Sequence, residues 1–433
     1  MLRIWCVSAI VVLGLVVVGC NPPPTCATSM PARLTNVGTS PTNVFKMSIP
    51  ANPTLAPNSA AIISRQLTQM SGEGTEVACS FNEWDAPVFY TDASQTRNTY
   101  IRLHLDGNPS WGGATQCGPM RWKSCVSAGN SSDGPAWVID TVDRCFYEFW
   151  MLNKNVLIAD PEAGWAGGLP LDDATQVWEP YEGLGGTAGM PLSYSSSVWP
   201  SEVSTSFNHG FMFAAPWPVN NPSKIVAPFW HTDGSGTSND DLFQGMRVQL
   251  NPSYDISALP TYKRSIAQAM KTFGMYDGNS CGGHWAIGGP NPQGYTNNCW
   301  NGVLPSTVVS AGYFRVVPTA QFRVLAVSAY NTPPAGAKIS NNSCLAYQGT
   351  GVGAAPTIST ISPASGPAGT VVTLTGTNMS NPYDVRFDNT AATNLTALSA
   401  TQVRCTVPAG SGTVKVTYRT TNGGLSNIKT YSY

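Results

Sequence analysis

The chain has 433 residues, of which 11% are charged, with 42 glycines, 34 prolines and a formal net charge of −1. Soluble domains usually carry about 25% charged residues, so this balance of few charges and many turn formers describes a turn-rich β protein outside the cytosol. The near-zero charge and the lack of any basic run remove the field that gathers phosphates, which excludes nucleic acid as a partner.

The first residues read as an export signal. Arg3 supplies one positive side chain, Ile4 to Val18 run apolar, and Gly19 precedes Cys20. The apolar run is shorter than the ~20 residues a membrane-crossing helix needs, so a cleaved signal is preferred to a permanent span. Val17, Val18, Gly19 and Cys20 resemble the lipobox of bacterial lipoproteins. The resemblance implies cleavage ahead of Cys20, lipid on that cysteine, and an exported protein anchored to a membrane of the bacterial cell envelope or surface. An ordinary signal peptide with an incidental cysteine is the plainer alternative. Asn21, Pro22, Pro23, Pro24 and Thr25 cannot build a core, so residues 20–44 are expected to form a Pro-rich tether.

Residues 45–346 form a β-rich main domain with a few helices. Asn58 is placed to cap a helix carrying Ile63, Leu67 and Met70 before Gly72. Strand candidates follow at Tyr100 to Leu105, Ala136 to Asp140, Cys145 to Leu152, His209 to Ala215 and Met246 to Leu250. Pro260 opens a second helix, with Tyr262, Ile266, Met270 and Phe273 on one stripe before Gly274. Strands separated by Gly-, Pro- and Asn-rich loops predict a large β-sandwich or jelly-roll-like domain with helices at its edge. Several phrases resemble an uncharacterised family of secreted bacterial proteins: Val138-Ile139-Asp140, Tyr147-Glu148-Phe149-Trp150, His209-Gly210-Phe211, Gly245 to Leu250, and Ala267 to Gly274 with Asp277. That resemblance implies an extracellular domain and supplies no reaction.

Residues 347–356 are a small-residue linker. Beyond it, Thr357 to Ile361, Val372 to Gly376, Val385 to Phe387, Val403 to Val407 and Val414 to Tyr418 alternate as short strands, the pattern of a small β-sandwich. Gly366, Pro367, Gly369, Thr370, Thr373, Thr375, Gly376 and Asn378 resemble the IPT/TIG domain, an immunoglobulin-like module, over residues 357–433. The resemblance implies a spacer or ligand-presenting module of the kind found beside carbohydrate-active domains.

There are 11 cysteines. With Cys6 in the signal and Cys20 at the anchor, an odd number remain. Cys405, flanked by Val403 and Val407 in a strand, is expected to be the buried free thiol. Neither Cys-x-x-Cys nor a cysteine pair with spaced histidines occurs, so disulfides are preferred to a zinc site. Cys117 with Cys125, and Cys281 with Cys299, each bracket a Gly/Asn-rich loop and are the expected pairs; spacing leaves the rest open.

The segment Cys145 to Trp150 carries the most chemistry. Alternation puts Phe146, Glu148 and Trp150 on one face. A carboxylate between two aromatics is what a jelly-roll glycanase uses: rings stack on sugars, and the carboxyl protonates or attacks the anomeric centre. In the simpler reading, which alternation alone favours, Glu148 merely faces water. A second carboxyl would come from Asp140, Asp143, Asp106 or Asp233. His104 alternates with Arg102 and Asp106, and His209 shares a face with Phe211 and Phe213. His104 with Arg102, or His209 with Arg247, are the pairs a polysaccharide lyase would need, although a core histidine explains His209 more simply.

No Gly-x-Ser-x-Gly elbow, His-Glu-x-x-His helix or Walker loop occurs, which argues against serine-hydrolase, zincin and nucleotide chemistry. The loop containing Asp233, Asn239, Asp240 and Asp241 has the hard oxygens calcium takes, without EF-hand spacing; loop solvation accounts for it more simply, and no cofactor is expected. Trp84, Trp111, Trp165, Trp199 and Trp217 lie near loops, as sugar platforms or small cores. The expected function is therefore a surface-anchored protein that binds or modifies polysaccharide, a glycoside hydrolase or polysaccharide lyase if it is an enzyme. The alternative is a non-catalytic structural or adhesive envelope protein.

Overall fold

A computed structural model describes residues 26–34, 44–71, 74–82, 84–103, 116–152, 161–171, 193–221, 224, 226, 229, 232–327, 344, 356–388, 390–420 and 424–433. The expected lipidation site Cys20 and the candidate base His104 lie outside these residues. In chain order the main domain runs β1 (Ala27–Ser29), α1 (Ser59–Gln69), β2 (Glu76–Ser80), β3 (Val88–Thr91), β4 (Arg97–Leu103), β5 (Gln116–Arg121), β6 (Ala136–Asp140) and β7 (Cys145–Trp150). It continues with β8 (Glu162–Ala163), β9 (Trp165–Pro170), α2 (Ser193–Ser196), α3 (Pro200–Val203), β10 (Phe211–Pro216), β11 (Arg247–Leu250) and α4 (Thr261–Thr272). β12 (Met275–Cys281), β13 (Ala286–Gly288), β14 (Tyr295–Asn297), α5 (Ser306–Ala311), β15 (Tyr313–Pro318) and β16 (Phe322–Val324) complete it. The protein is mainly β, as its composition implied.

The centre is a 7-stranded sheet ordered β15-β2-β13-β10-β12-β11-β16. It is mixed: β10 pairs with β12 and β13 with β2 in parallel, and the remaining pairs are antiparallel. Side-chain alternation sorts its two faces. Phe211, Phe213, Val248 and Met275 enter a core shared with Ile62 and Ile63 of α1 and with Ile266 and Met270 of α4. Met212 and Tyr276 point the other way, against Phe45 and Phe229. α4 stops where the sequence predicts. The Phe273 and Gly274 amides both reach the Ala269 carbonyl, and Gly274 has φ +71° where a Cβ would meet the Val248 oxygen at 2.4 Å.

A 4-stranded sheet, β3-β6-β7-β9, and a 3-stranded sheet, β5-β4-β8, build the rest of the main domain. The β6–β7 hairpin is covered on both sides. Val138, Tyr147 and Phe149 enter one core, and Trp137, Ile139 and Phe146 another.

Among the described residues two disulfides staple this region, Cys26–Cys125 and Cys145–Cys344. They correct the expected pairs. Cys125 is taken by Cys26, which removes the Cys117–Cys125 bridge, and Cys281 and Cys299 are both free thiols. Short loops with flanking cysteines did not mark the bridges, because the real partners are 99 and 199 residues apart and meet only through tertiary packing. Such bonds belong to a chain folded in an oxidising compartment. Cys405 is a buried free thiol, as expected. Part of the segment read as a tether is fastened down. Beyond the Cys26 bridge, β1 pairs with β14, Arg33 pairs with Glu202, and the Leu34 amide donates to the Tyr194 hydroxyl at 2.8 Å.

The C-terminal region is a two-sheet sandwich. β17 (Thr357–Ser362), β18 (Val371–Thr377), β19 (Pro382–Phe387), β20 (Thr390–Ala391), β21 (Thr393–Ser399), β22 (Gln402–Thr406), β23 (Thr413–Thr420), β24 (Gly424–Leu425) and β25 (Lys429–Ser432) follow in order. One sheet is β17-β18-β22-β21; in the other, β23 joins β19, β24 and β25, with β20 beside β19. Val372, Leu374, Val385, Phe387, Val403, Cys405, Val416 and Tyr418 fill the space between them.

Candidate functional site

The residues singled out from sequence do not meet in one groove. Glu148 accepts a hydrogen bond from the Trp137 indole at 2.8 Å, its register partner on β6. Phe146 is fully buried, edge-on to Trp137 with ring centroids 5.5 Å apart, so it is core and no sugar platform. Trp150 is partly buried on the same strand. A second layer covers the face that simple alternation would leave to solvent. Asp140 is fully buried and organises the β6–β7 turn: one oxygen accepts from the Val142 and Asp143 amides and the other pairs with Arg121 at 2.9 Å. In register it opposes Cys145, three residues along from the Trp137–Glu148 pair, or about 10 Å.

Arg247 lies on β11 of the central sheet, and His209 stands just ahead of β10. His209 is 1% exposed, packed edge-on to the Phe207 and Phe211 rings, with its ring nitrogens 2.7 Å from the Gly210 carbonyl and 3.3 Å from Glu202. Burial pushes the Glu202 carboxyl up, but His209 and Arg33 outweigh it and hold it below the usual range. Arg247 is equally buried. It donates to the Phe273 and Met47 carbonyls and lies 5.0 Å over the Tyr276 ring, a clamp with no donor facing a groove. The position read as substrate-binding is thus part of the core.

A different cluster forms on the parallel strands β10 and β12, from their middle toward their C-terminal ends. Phe213 pairs with Asp277 and Ala214 with Asn279, so Gly278 is an extra residue, a β-bulge. A Cβ on Gly278 would lie 2.6 Å from both the Met212 and Phe229 side chains. Asp277 is fully buried, and neither of its carboxylate oxygens has a hydrogen-bond partner. Its backbone is fixed by the Gly245 amide and the Met246 carbonyl at 2.8 and 3.0 Å. Burial pushes its carboxyl well above the usual range, and the charge of Asp233 adds to the shift. Asp233 accepts from the Ser280 amide at 3.0 Å, the Ser280 hydroxyl at 2.9 Å and the Gln244 carboxamide nitrogen. Gln244 is itself fully buried, and its oxygen has no partner. Among the described residues no three His, Cys, Asp or Glu side chains cluster as a metal centre. This group contains two carboxylates and a carboxamide.

Trp217 stands directly after β10. It is 51% exposed and has φ +53°, a left-handed conformation that a bulky residue rarely adopts. The Asp233 loop lies against it: the Gly236 amide donates to the Pro218 carbonyl at 2.7 Å and the Thr232 hydroxyl to the Val219 carbonyl at 3.0 Å. The chain that carries this exposed aromatic is thus bonded to the loop that carries Asp233. Trp84 is also exposed, at 57%, whereas Trp199 is core. Trp111 lies outside the described residues, as does the side chain of Trp165.

The rest of the calcium-compatible loop is engaged elsewhere. Asp241 accepts from Arg65, Gln69 and the Ser238 amide, Asp240 from Asn58, and Asn239 from Lys224. A surface cleft of about 630 Å³ between α4 and the loop before it is lined by Tyr254, Arg264, Gln268 and Lys271. Both of its cations donate to backbone carbonyls. Sequence reading named Asp233 among several carboxylates but missed Asp277 and Gln244. The signal was a lone glycine interrupting a strand directly after an acidic residue.

No curated protein matches the chain. Among solved structures, it is similar to a γ-CGTase from alkalophilic Bacillus clarkii, at 19% identity over 28% of this chain and 15% of that one, with a TM-score of 0.18. It is also similar to SGBP-B from a complex xyloglucan utilization locus in Bacteroides uniformis, at 26% identity over 18% of this chain and 23% of that one, with a TM-score of 0.17. An auxiliary nutrient binding protein from Bacteroides thetaiotaomicron matches at 22% identity over 19% of this chain and 21% of that one, with a TM-score of 0.16. The chain thus spans 15% to 23% of the length of these three structures, and overlaps so small carry no functional argument. The match to a family model is more specific: the C-terminal region, residues 356–433, is an IPT/TIG domain.

Proposed function

We propose that the protein is an exported lipoprotein of the cell envelope whose main domain binds carbohydrate at the ends of β10 and β12. The observation that carries this reading is Trp217, held half-exposed in a left-handed conformation beside the loop of Asp233. An exposed indole face at that position is suited to stacking on a sugar ring. Binding without cleavage is the reading we prefer. Asp140 and Arg247 are engaged in structural bonds, and Glu148 lies on β7 of the 4-stranded sheet while His209 stands just ahead of β10 of the central one. The test is retention on a panel of immobilised polysaccharides, followed by product analysis. Retention without released sugar supports the reading, and failure to bind any polymer of a broad panel contradicts it.

The anchor rests on Val17 to Cys20, outside the described residues. Replacing Cys20→Ser should abolish fatty-acid labelling and release the protein from membranes; labelling that persists would show the anchor to be wrong.

A further inference from the structure

We propose that Asp277, Asp233 and Gln244 form a binding site for a hard divalent cation, calcium, beneath the ends of β10 and β12. Three buried oxygens lack a partner, both of Asp277 and the one of Gln244. All three are acceptors, and the Asn279 backbone amide, the donor that acts on Asp277, falls short of hydrogen-bond geometry. Gln244 cannot be turned to supply one, because its nitrogen already donates to Asp233. The competing arrangement is a neutral Asp277 that donates its proton to the Gln244 oxygen, and it predicts no calcium uptake.

The three side chains are brought together by backbone pairing and by hydrogen bonds. The Gly245 amide and Met246 carbonyl bond to Asp277, which sets Gln244 alongside, while Ser280 and Gln244 hold Asp233 from two sides. The bulge at Gly278 gives β12 the extra residue by which Asp277 and Ser280 both serve the same cluster. Two carboxylates match a divalent charge, and a carboxamide oxygen adds a neutral ligand. Oxygen-only sets select hard cations. The nearby Cys281 thiol is directed at the His284 carbonyl, 3.2 Å away, and so contributes no soft ligand.

The site shares the Asp233 loop with the carbohydrate reading but does not require it, and its test contains no sugar. The purified full chain is stripped with a chelator and titrated with calcium chloride, following heat of binding and thermal unfolding. Wild type is expected to bind calcium and unfold at a higher temperature when it is present. Asp277→Asn, which keeps the shape and removes the charge, should lose at least ten-fold in calcium affinity and show an unfolding midpoint that no longer responds to calcium. Should that variant fail to fold, Asp233→Asn serves the same comparison. Wild type that takes up no calcium, or a folded variant of either position that responds as wild type does, overturns the site.

Discussion

Trp137 and Glu148 face each other across the β6–β7 hairpin, joined by an indole N–H to carboxylate bond of 2.8 Å, with Trp137 only 6% exposed. The bond gives Glu148 a structural task in place of the catalytic one its aromatic neighbours implied. Glu148→Ala leaves a buried indole N–H without its acceptor and should cost about 1–2 kcal/mol of stability. Glu148→Gln, which keeps an acceptor oxygen, should cost less. Denaturant unfolding of the two variants checks this; if Glu148→Ala is as stable as wild type, the indole bond has no structural weight.

Asp85 predicts a pH dependence. Burial raises its carboxyl from 3.8 to about 7, against hydrogen bonds from Ser80 and Asn82 that oppose the rise. Between those values the folded protein holds a proton that the unfolded chain releases. Asp85 therefore favours the folded state most at low pH, and this contribution declines as pH rises from about 4 to about 7. Asp85→Asn should flatten that part of the stability profile. A profile unchanged by the substitution would show that Asp85 titrates normally.

The disulfide Cys145–Cys344 ties the β6–β7 hairpin to a residue 199 positions later. Replacing both cysteines with alanine should destabilise the main domain by about 2–5 kcal/mol. Peptide mapping of the unreduced protein should recover Cys26 with Cys125 and Cys145 with Cys344, and find Cys281 and Cys299 as thiols. Recovery of Cys281 joined to Cys299 would contradict the fold described for β12 to β14.

Local signals carried much of the fold. Pro260 and Gly274 delimit α4, the run from Ala136 to Asp140 is β6 at both ends, and the alternating threonines and valines of the tail are the IPT/TIG strands. These features depend on residues close in sequence. What failed depends on tertiary packing. Alternation shows that Phe146 and Glu148 share a face, but not that another layer covers it. Cysteine spacing carries no information on partners 99 residues apart. Arg247 reads as a groove cation until the Phe273 carbonyl is seen beneath it. Asp277 was hidden because the polar run from Asp277 to Ser280 gives no strand signal, and only the pairing with Phe213 places it inside the sheet.

Docking of carbohydrate on Trp217 can be read by affinity electrophoresis of wild type, Trp217→Ala and Trp84→Ala through gels containing a polysaccharide that retains the wild type. Wild type and Trp84→Ala should be slowed alike, and Trp217→Ala, still folded by circular dichroism, should migrate as if no polymer were present. A Trp217→Ala protein slowed as much as wild type would contradict it.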